Sequence, residues 1–80
     1  TREQLAAILS RYAAAHGITI YDAAASLPAG AAVSNWAKKD VAWAYAEGIL
    51  SQTQAANATV NANRAEVAEA IYNYLTKTAN

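Results

Sequence analysis

Asn63-Arg64-Ala65-Glu66-Val67-Ala68-Glu69-Ala70-Ile71-Tyr72-Asn73-Tyr74-Leu75 decides how this chain is read. It opens on a helix-start signature, with Asn63 at the N-cap and Glu66 three residues on, the spacing of a capping box. Val67, Ala70, Ile71, Tyr74 and Leu75 then recur at helical spacing as one apolar stripe. The pattern also stands at the other end of the chain. Thr1-Arg2-Glu3-Gln4 supplies a cap, an arginine and a glutamine at the capping-box position, and Leu5, Ile8, Leu9 and Tyr12 follow. Arg2 matches Arg64, Gln4 matches Glu66, Leu5 matches Val67, Ala6 matches Ala68, Leu9 matches Ile71 and Tyr12 matches Tyr74. Every pair has the offset 64 − 2 = 62. A cap, an arginine, a stripe and a tyrosine at one fixed offset indicate an internal repeat.

The 80 residues bound the answer to one small domain. Such a chain buries a modest fraction of its surface, so its core is expected to be marginal. It has no cysteine, which removes disulfides and thiolate metal sites as supports. Six basic and six acidic residues cancel, a poor basis for neutralising phosphates and hence for nucleic-acid binding. No apolar run is long enough to span a membrane. The chain opens directly on a helix cap, so any export signal is expected outside it. Alanine dominates the apolar content and favours helix without adding core volume. That volume must come from two Trp, five Tyr and the scattered Leu, Ile and Val.

In chain order, a first helix is expected over 2–15, ended by His16-Gly17. A left-handed glycine suits that end, and a histidine in the last turn suits the helix dipole. Ile18-Thr19-Ile20-Tyr21 reads as an extended connector, Asp22 as the cap of a short turn over 23–26, and Pro28 with Gly30 as a loop. Ser34 is placed to cap a second helix over 35–47, stopped by Gly48. Trp36, Asp40 and Trp43 fall on one ridge of it, and Ala37, Val41 and Ala44 on the next. Trp43 reads as core, whereas Trp36 in the first turn is open to either core packing or a ligand platform. Residues 51–62 lack helix periodicity and read as a surface loop with an extended segment near Thr59-Val60. A third helix is expected over 64–76, with a tail that frays from 77.

Nothing in this pattern supports catalysis. His16 is the single histidine and is accounted for as a capping residue. The carboxylates are scattered, and there is no glycine-rich phosphate loop. The chain is read as a non-enzyme with no cofactor and no metal site. The arginines are more informative. Arg2 and Arg64 each occupy the first position of a helix, where free N–H groups and the positive dipole end make an anion site. A guanidinium there adds a two-pronged grip on carboxylate or phosphate. The competing reading is an arginine paired with a nearby Glu or a backbone carbonyl, and both remain open at this point.

Taken together these segments resemble the S-layer homology family. Thr1-Arg2-Glu3-Gln4-Leu5-Ala6-Ala7-Ile8-Leu9-Ser10-Arg11-Tyr12 is similar to the end of one family repeat, whose hallmark is Thr-Arg-Ala-Glu opening a helix. Ile20-Tyr21-Asp22 resembles the Phe-x-Asp that starts the next. Val33 to Ala44, followed by Glu47-Gly48-Ile49-Leu50-Ser51, is similar to the family's first helix and its Gly-Ile-Ile-Ser ending, and Asn63-Arg64-Ala65-Glu66 closes the repeat. Three features depart from the family pattern. Gln52 stands where Gly is common, the Asp-Gly-Thr-Phe-x-Pro loop is replaced by the shorter 52–62, and Asn63 replaces the hallmark Thr.

The resemblance implies one domain over 1–80, with 1–17 as the closing helix of one repeat and 18–80 as a complete repeat. It implies an extracellular bacterial module that anchors a secreted protein to the cell wall by binding secondary cell-wall polysaccharide, often pyruvylated. Carried over residue by residue, it assigns Arg64 and Arg2 to the anionic substituent, and Asp22 and Trp36 to sugar contact. The alternative is a structural or protein-interaction module that keeps the helices and has lost the glycan site. The expected fold is all-α: three helices packed on Leu5, Ile8, Leu9, Val41, Trp43, Ile49, Val67, Ile71 and Leu75, with two long irregular loops. One repeat plus a helix falls short of the family's usual set, so self-association or packing against further repeats is expected.

Overall fold

The computed structural model describes residues 1–78 and is all-α. Helix α1 is Arg2–Ala15, α2 is Lys38–Ala46, α3 is Gln52–Ala56 and α4 is Arg64–Thr78. Two single turns of 3-10 helix, Ala24–Ser26 and Asn35–Ala37, punctuate the connection from α1 to α2. The tail expected to fray from 77 is helical through Thr78, and residues 79–80 lie outside the described residues.

Each helix end has a local cause. Thr1 and Gln4 form the capping box of α1, and Asn63 accepts from the Glu66 N–H at the start of α4. Gly17 and Gly48 take φ of +83° and +76°, the left-handed conformation that ends α1 and α2. The second helix departs from its expected course. Ser34 makes no cap; its side chain and N–H both donate to the Glu3 carboxylate. With its cap diverted, the segment starts as a 3-10 turn and becomes α-helical only at Lys38.

Helix α3 corrects the reading of 51–62 as loop. Ser51 and Gln54 form a full capping box, and Ala55 is fully buried beneath it. The signal was the Ser51-x-x-Gln54 spacing; five residues are too few to show an apolar period. The rest of the segment is stitched by backbone. Ala32 N–H donates to Ala56 O at 2.8 Å and Ala58 N–H to Ala32 O at 3.1 Å, an isolated parallel bridge.

The core is built where α1 crosses α2, with α3 and α4 closing its sides. Trp43, Val41, Ile49, Leu50, Leu9 and Tyr74 supply the volume. Ala6, Ala13, Ala37, Ala44, Ala55, Ala58 and Ala70 are buried to 1 % or less and let the backbones approach closely. Leu5 packs at the edge and Val67 is half-buried. Three residues expected in the core are not in it: Ile8 is 61 % exposed, Ile71 41 % and Leu75 54 %. Each apolar stripe is wider than the surface its helix buries, because a single small domain has too few layers to cover it.

Candidate functional site

The sequence singles out four residues: Arg2, Arg64, Trp36 and Asp22. The fold treats the two arginines differently. Arg2 Nε lies 2.7 Å from Glu66 Oε2 and Nη2 lies 2.8 Å from Glu66 Oε1, a bidentate pair. Its third nitrogen, Nη1, donates to Asn57 O at 3.2 Å. Every arm of the guanidinium is engaged inside the protein. The helix end is covered as well: Arg2 N–H donates to Val60 O at 3.0 Å and Glu3 N–H to Ala58 O at 2.9 Å. The connection between α3 and α4 therefore lies across the start of α1 and fills the position an anion would take. At Arg2 the geometry is that of the competing structural reading.

Arg64 stands in the matching place on α4 and is exposed. Among the described residues its side chain makes no hydrogen bond or ion pair, and no loop carbonyl covers its helix end. The first-turn bonds there are local: Asn63 Oδ1 accepts from Glu66 N–H at 2.8 Å, and Asn63 O accepts from Val67 N–H at 3.0 Å. An uncovered helix N-terminus with a free guanidinium can take an anion.

Trp36 is 58 % exposed on its 3-10 turn, so its ring is open and not part of the core. Asp22 is exposed on the first connection and has an interaction of its own. Among the described residues neither Trp36 nor Asp22 makes a hydrogen bond, ion pair or ring contact with the Arg64 side chain. What ties the region together is a polar network that sequence reasoning missed. Glu3, 6 % exposed, accepts from Ser34 N–H at 2.9 Å and Ser34 Oγ at 2.8 Å. It thereby moors the Trp36 turn to the start of α1, and the adjacent Arg2 moors α4 through Glu66. Further along, Ser10 Oγ donates to Asp40 at 2.6 Å and ties α1 to α2. Glu3 and Ser10 sit among buried alanines of α1, and that polar pair on an apolar face was the available signal.

The electrostatics follow the contacts. The Arg2 hydrogen bonds hold the Glu66 carboxyl below the usual carboxylate range, and Glu66 in turn raises the Arg2 guanidinium. The Tyr21 hydroxyl, donating to Glu47, is raised chiefly by that bond. The Tyr74 hydroxyl is raised chiefly by burial.

A second feature lies along the same two helices. Ile8, Leu9 and Tyr12 of α1 face Ile71, Tyr74 and Leu75 of α4 across an open groove of about 340 Å³. Tyr12 meets Tyr74 edge to face, with ring centroids 5.8 Å apart, and stacks on His16 at 4.2 Å. His16 closes α1 as expected, its Nδ1 lying 2.9 Å from Tyr12 O. Among the described residues no three His, Asp or Glu side chains gather as a metal site, and no helix is long and apolar enough to cross a membrane. No family model, curated protein or solved structure matches this chain.

Proposed function

We propose that the chain is a non-catalytic module of the bacterial cell surface. In this reading it recognises an anionic, pyruvylated cell-wall polysaccharide and anchors a secreted protein. The observation that carries it is Arg64: an exposed guanidinium, with no partner among the described residues, at an uncovered helix N-terminus. A pyruvate ketal presents a carboxylate on a sugar ring. The guanidinium and the first-turn N–H groups suit the carboxylate. The open indole of Trp36 suits the apolar face of a sugar, and the exposed Asp22 can accept from sugar hydroxyls. The resemblance of the whole chain to S-layer homology repeats supports the same reading. One observation favours the second reading, a structural or protein-interaction module without glycan binding: Arg2, the other matched arginine, is consumed internally.

The test is a pull-down with purified sacculi, with and without their secondary polymer, followed by calorimetry against a pyruvylated wall fragment. Retention that depends on the polymer is expected. Arg64→Ala should weaken binding by about 1.5–3 kcal/mol, the range for a hydrogen bond to a charged group. Arg64→Lys should also bind less well, since it keeps the charge and loses the fork. Added salt should weaken an exposed ionic contact. Equal binding by all three proteins would make Arg64 only a surface arginine, and retention indifferent to the polymer would leave the structural or protein-interaction reading in place.

A further inference from the structure

The two connections that carry Trp36 and Arg64 meet at the first turn of α1. One runs from α1 to α2 and holds Ser34 and the Trp36 turn; the other runs from α3 to the start of α4 at Arg64. They are bonded to each other through Ala32, whose N–H donates to Ala56 O and whose carbonyl accepts from Ala58 N–H. Both are also bonded to the same two residues of α1. Glu3 takes Ser34 with its carboxylate and gives its N–H to Ala58 O. Arg2 gives its N–H to Val60 O, its Nη1 to Asn57 O and its remaining two nitrogens to Glu66. Ser34 lies two positions before Trp36, and Glu66 two positions after Arg64.

These bonds fix geometry in a way that apolar packing does not. Glu3 is 6 % exposed, and each of its carboxylate oxygens accepts one bond from Ser34. The Trp36 turn cannot pivot without stripping a buried carboxylate of its donors, which is costly. On the other side the planar guanidinium fork of Arg2 sets both the distance and the angle of Glu66. Consecutive residues on one rigid helical turn therefore hold both segments. Neither is available to a ligand: Glu3 is buried, and all three nitrogens of the Arg2 guanidinium are engaged within the chain.

We infer that Glu3 and Arg2 are positioning residues, and that the first turn of α1 fixes Trp36 and Arg64 relative to each other. A recognition surface gains affinity when its groups are held in place before the ligand arrives. The consequence for affinity rests on the glycan reading proposed above; the fixed spacing does not. Loosening either hold should weaken binding several-fold without touching the ligand. The loss from Glu3→Gln should vanish when Trp36 is already alanine, because an absent ring cannot be misplaced. The loss from Arg2→Lys should likewise vanish in the Arg64→Ala chain. A loss that came only from a less stable fold would persist in both backgrounds.

The spacing is measured without any ligand. The chain has no cysteine, so nitroxide labels can be placed through Asn35→Cys and Ala65→Cys, both at exposed positions. Pulsed electron paramagnetic resonance should give one narrow distance distribution in the labelled chain. It should broaden or shift on adding Glu3→Gln, Arg2→Lys or the milder Ser34→Ala, which removes a single bond. Ser10→Ala breaks the buried tie from α1 to Asp40, outside these contacts, and should lower the melting temperature without changing the distribution. Circular dichroism checks that each variant is helical. Calorimetry against the pyruvylated wall fragment supplies the two binding cycles. A distribution indifferent to all three variants, or broadened as much by Ser10→Ala, overturns the inference. So does a Glu3→Gln loss of affinity that persists in the Trp36→Ala chain. A labelled chain with the expected spacing changes whose parent protein does not bind the fragment overturns the glycan reading alone.

Discussion

Helices α1 and α4 start from nearly the same sequence and end in different circumstances. Thr1-Arg2-Glu3-Gln4 and Asn63-Arg64-Ala65-Glu66 are both capped starts, each with an arginine at the first helical position. At α1 the arginine is clamped by Glu66 and Asn57, and the first N–H groups are covered by Val60 and Ala58. At α4 the arginine and the helix end are open. A motif therefore does not carry its role with it. What differs is the neighbour: α1 has the connection between α3 and α4 lying over its start, and among the described residues α4 has no such cover.

The largest contrast should appear along the stripes. Leu9 and Ile71 occupy matching positions, yet Leu9 is 7 % exposed and Ile71 is 41 %. Leu9→Ala should cost about 2–5 kcal/mol in urea unfolding. Ile71→Ala, measured in dilute solution, should cost within about 0.5 kcal/mol of nothing, the range of a surface change. Equal costs would mean that the two helices are buried alike and would break the comparison.

Next comes the third residue of each motif. Glu3 is buried and holds Ser34, while its counterpart Ala65 is exposed. Glu3→Ala leaves the Ser34 N–H without its partner and should cost about 1–3 kcal/mol. Ala65→Glu should be close to neutral, with an acidic side chain in a first turn if anything favourable. Thermal melts of both variants check this, and a destabilising Ala65→Glu would place that position against protein.

A smaller effect separates the arginines. Arg2→Ala strips Glu66 and Asn57 O of their donor and should lower the melting temperature, whereas Arg64→Ala should leave it unchanged. A matched loss in both would show that Arg64 has a structural partner.

The smallest effect is the pH dependence of the Arg2–Glu66 pair. The Glu66 carboxyl is held below its ordinary value in the folded protein, so the pair stabilises fully above the usual carboxylate range. That contribution is lost as pH falls through this range and below it, where Glu66 takes up a proton. Glu66→Gln should therefore melt below wild type at neutral pH and converge on it in acid. A gap that persists unchanged into acid would show that the ion pair is not its source.

Much of the architecture was legible in the sequence because its signals are local. Caps, left-handed glycines and helical spacing act within one turn, and they placed α1, the start of α4 and the end of α2. Ser34 and α3 show where local reading stops. Ser34 has the right type and position for a cap, but Glu3, 31 residues away, competes for its hydroxyl and N–H and takes both. The Ser51 box was visible, but a helix of five residues holds together here only because Ala55 packs into the core.

The sequence by itself determined an all-α chain and its principal caps. Backbone conformational preference and short-range hydrogen bonds set these, and they depend on residues a few positions apart. The tertiary structure alone decided which half of each stripe is core and which of two matched arginines is free. It also decided that Trp36 is open while Trp43 is sealed. Burial and pairing are set by whatever packs against a surface, and here those neighbours lie up to 64 residues away along the chain. One helix pattern can thus give a clamped start near one end of the chain and an open start near the other, although both helices contribute to the core.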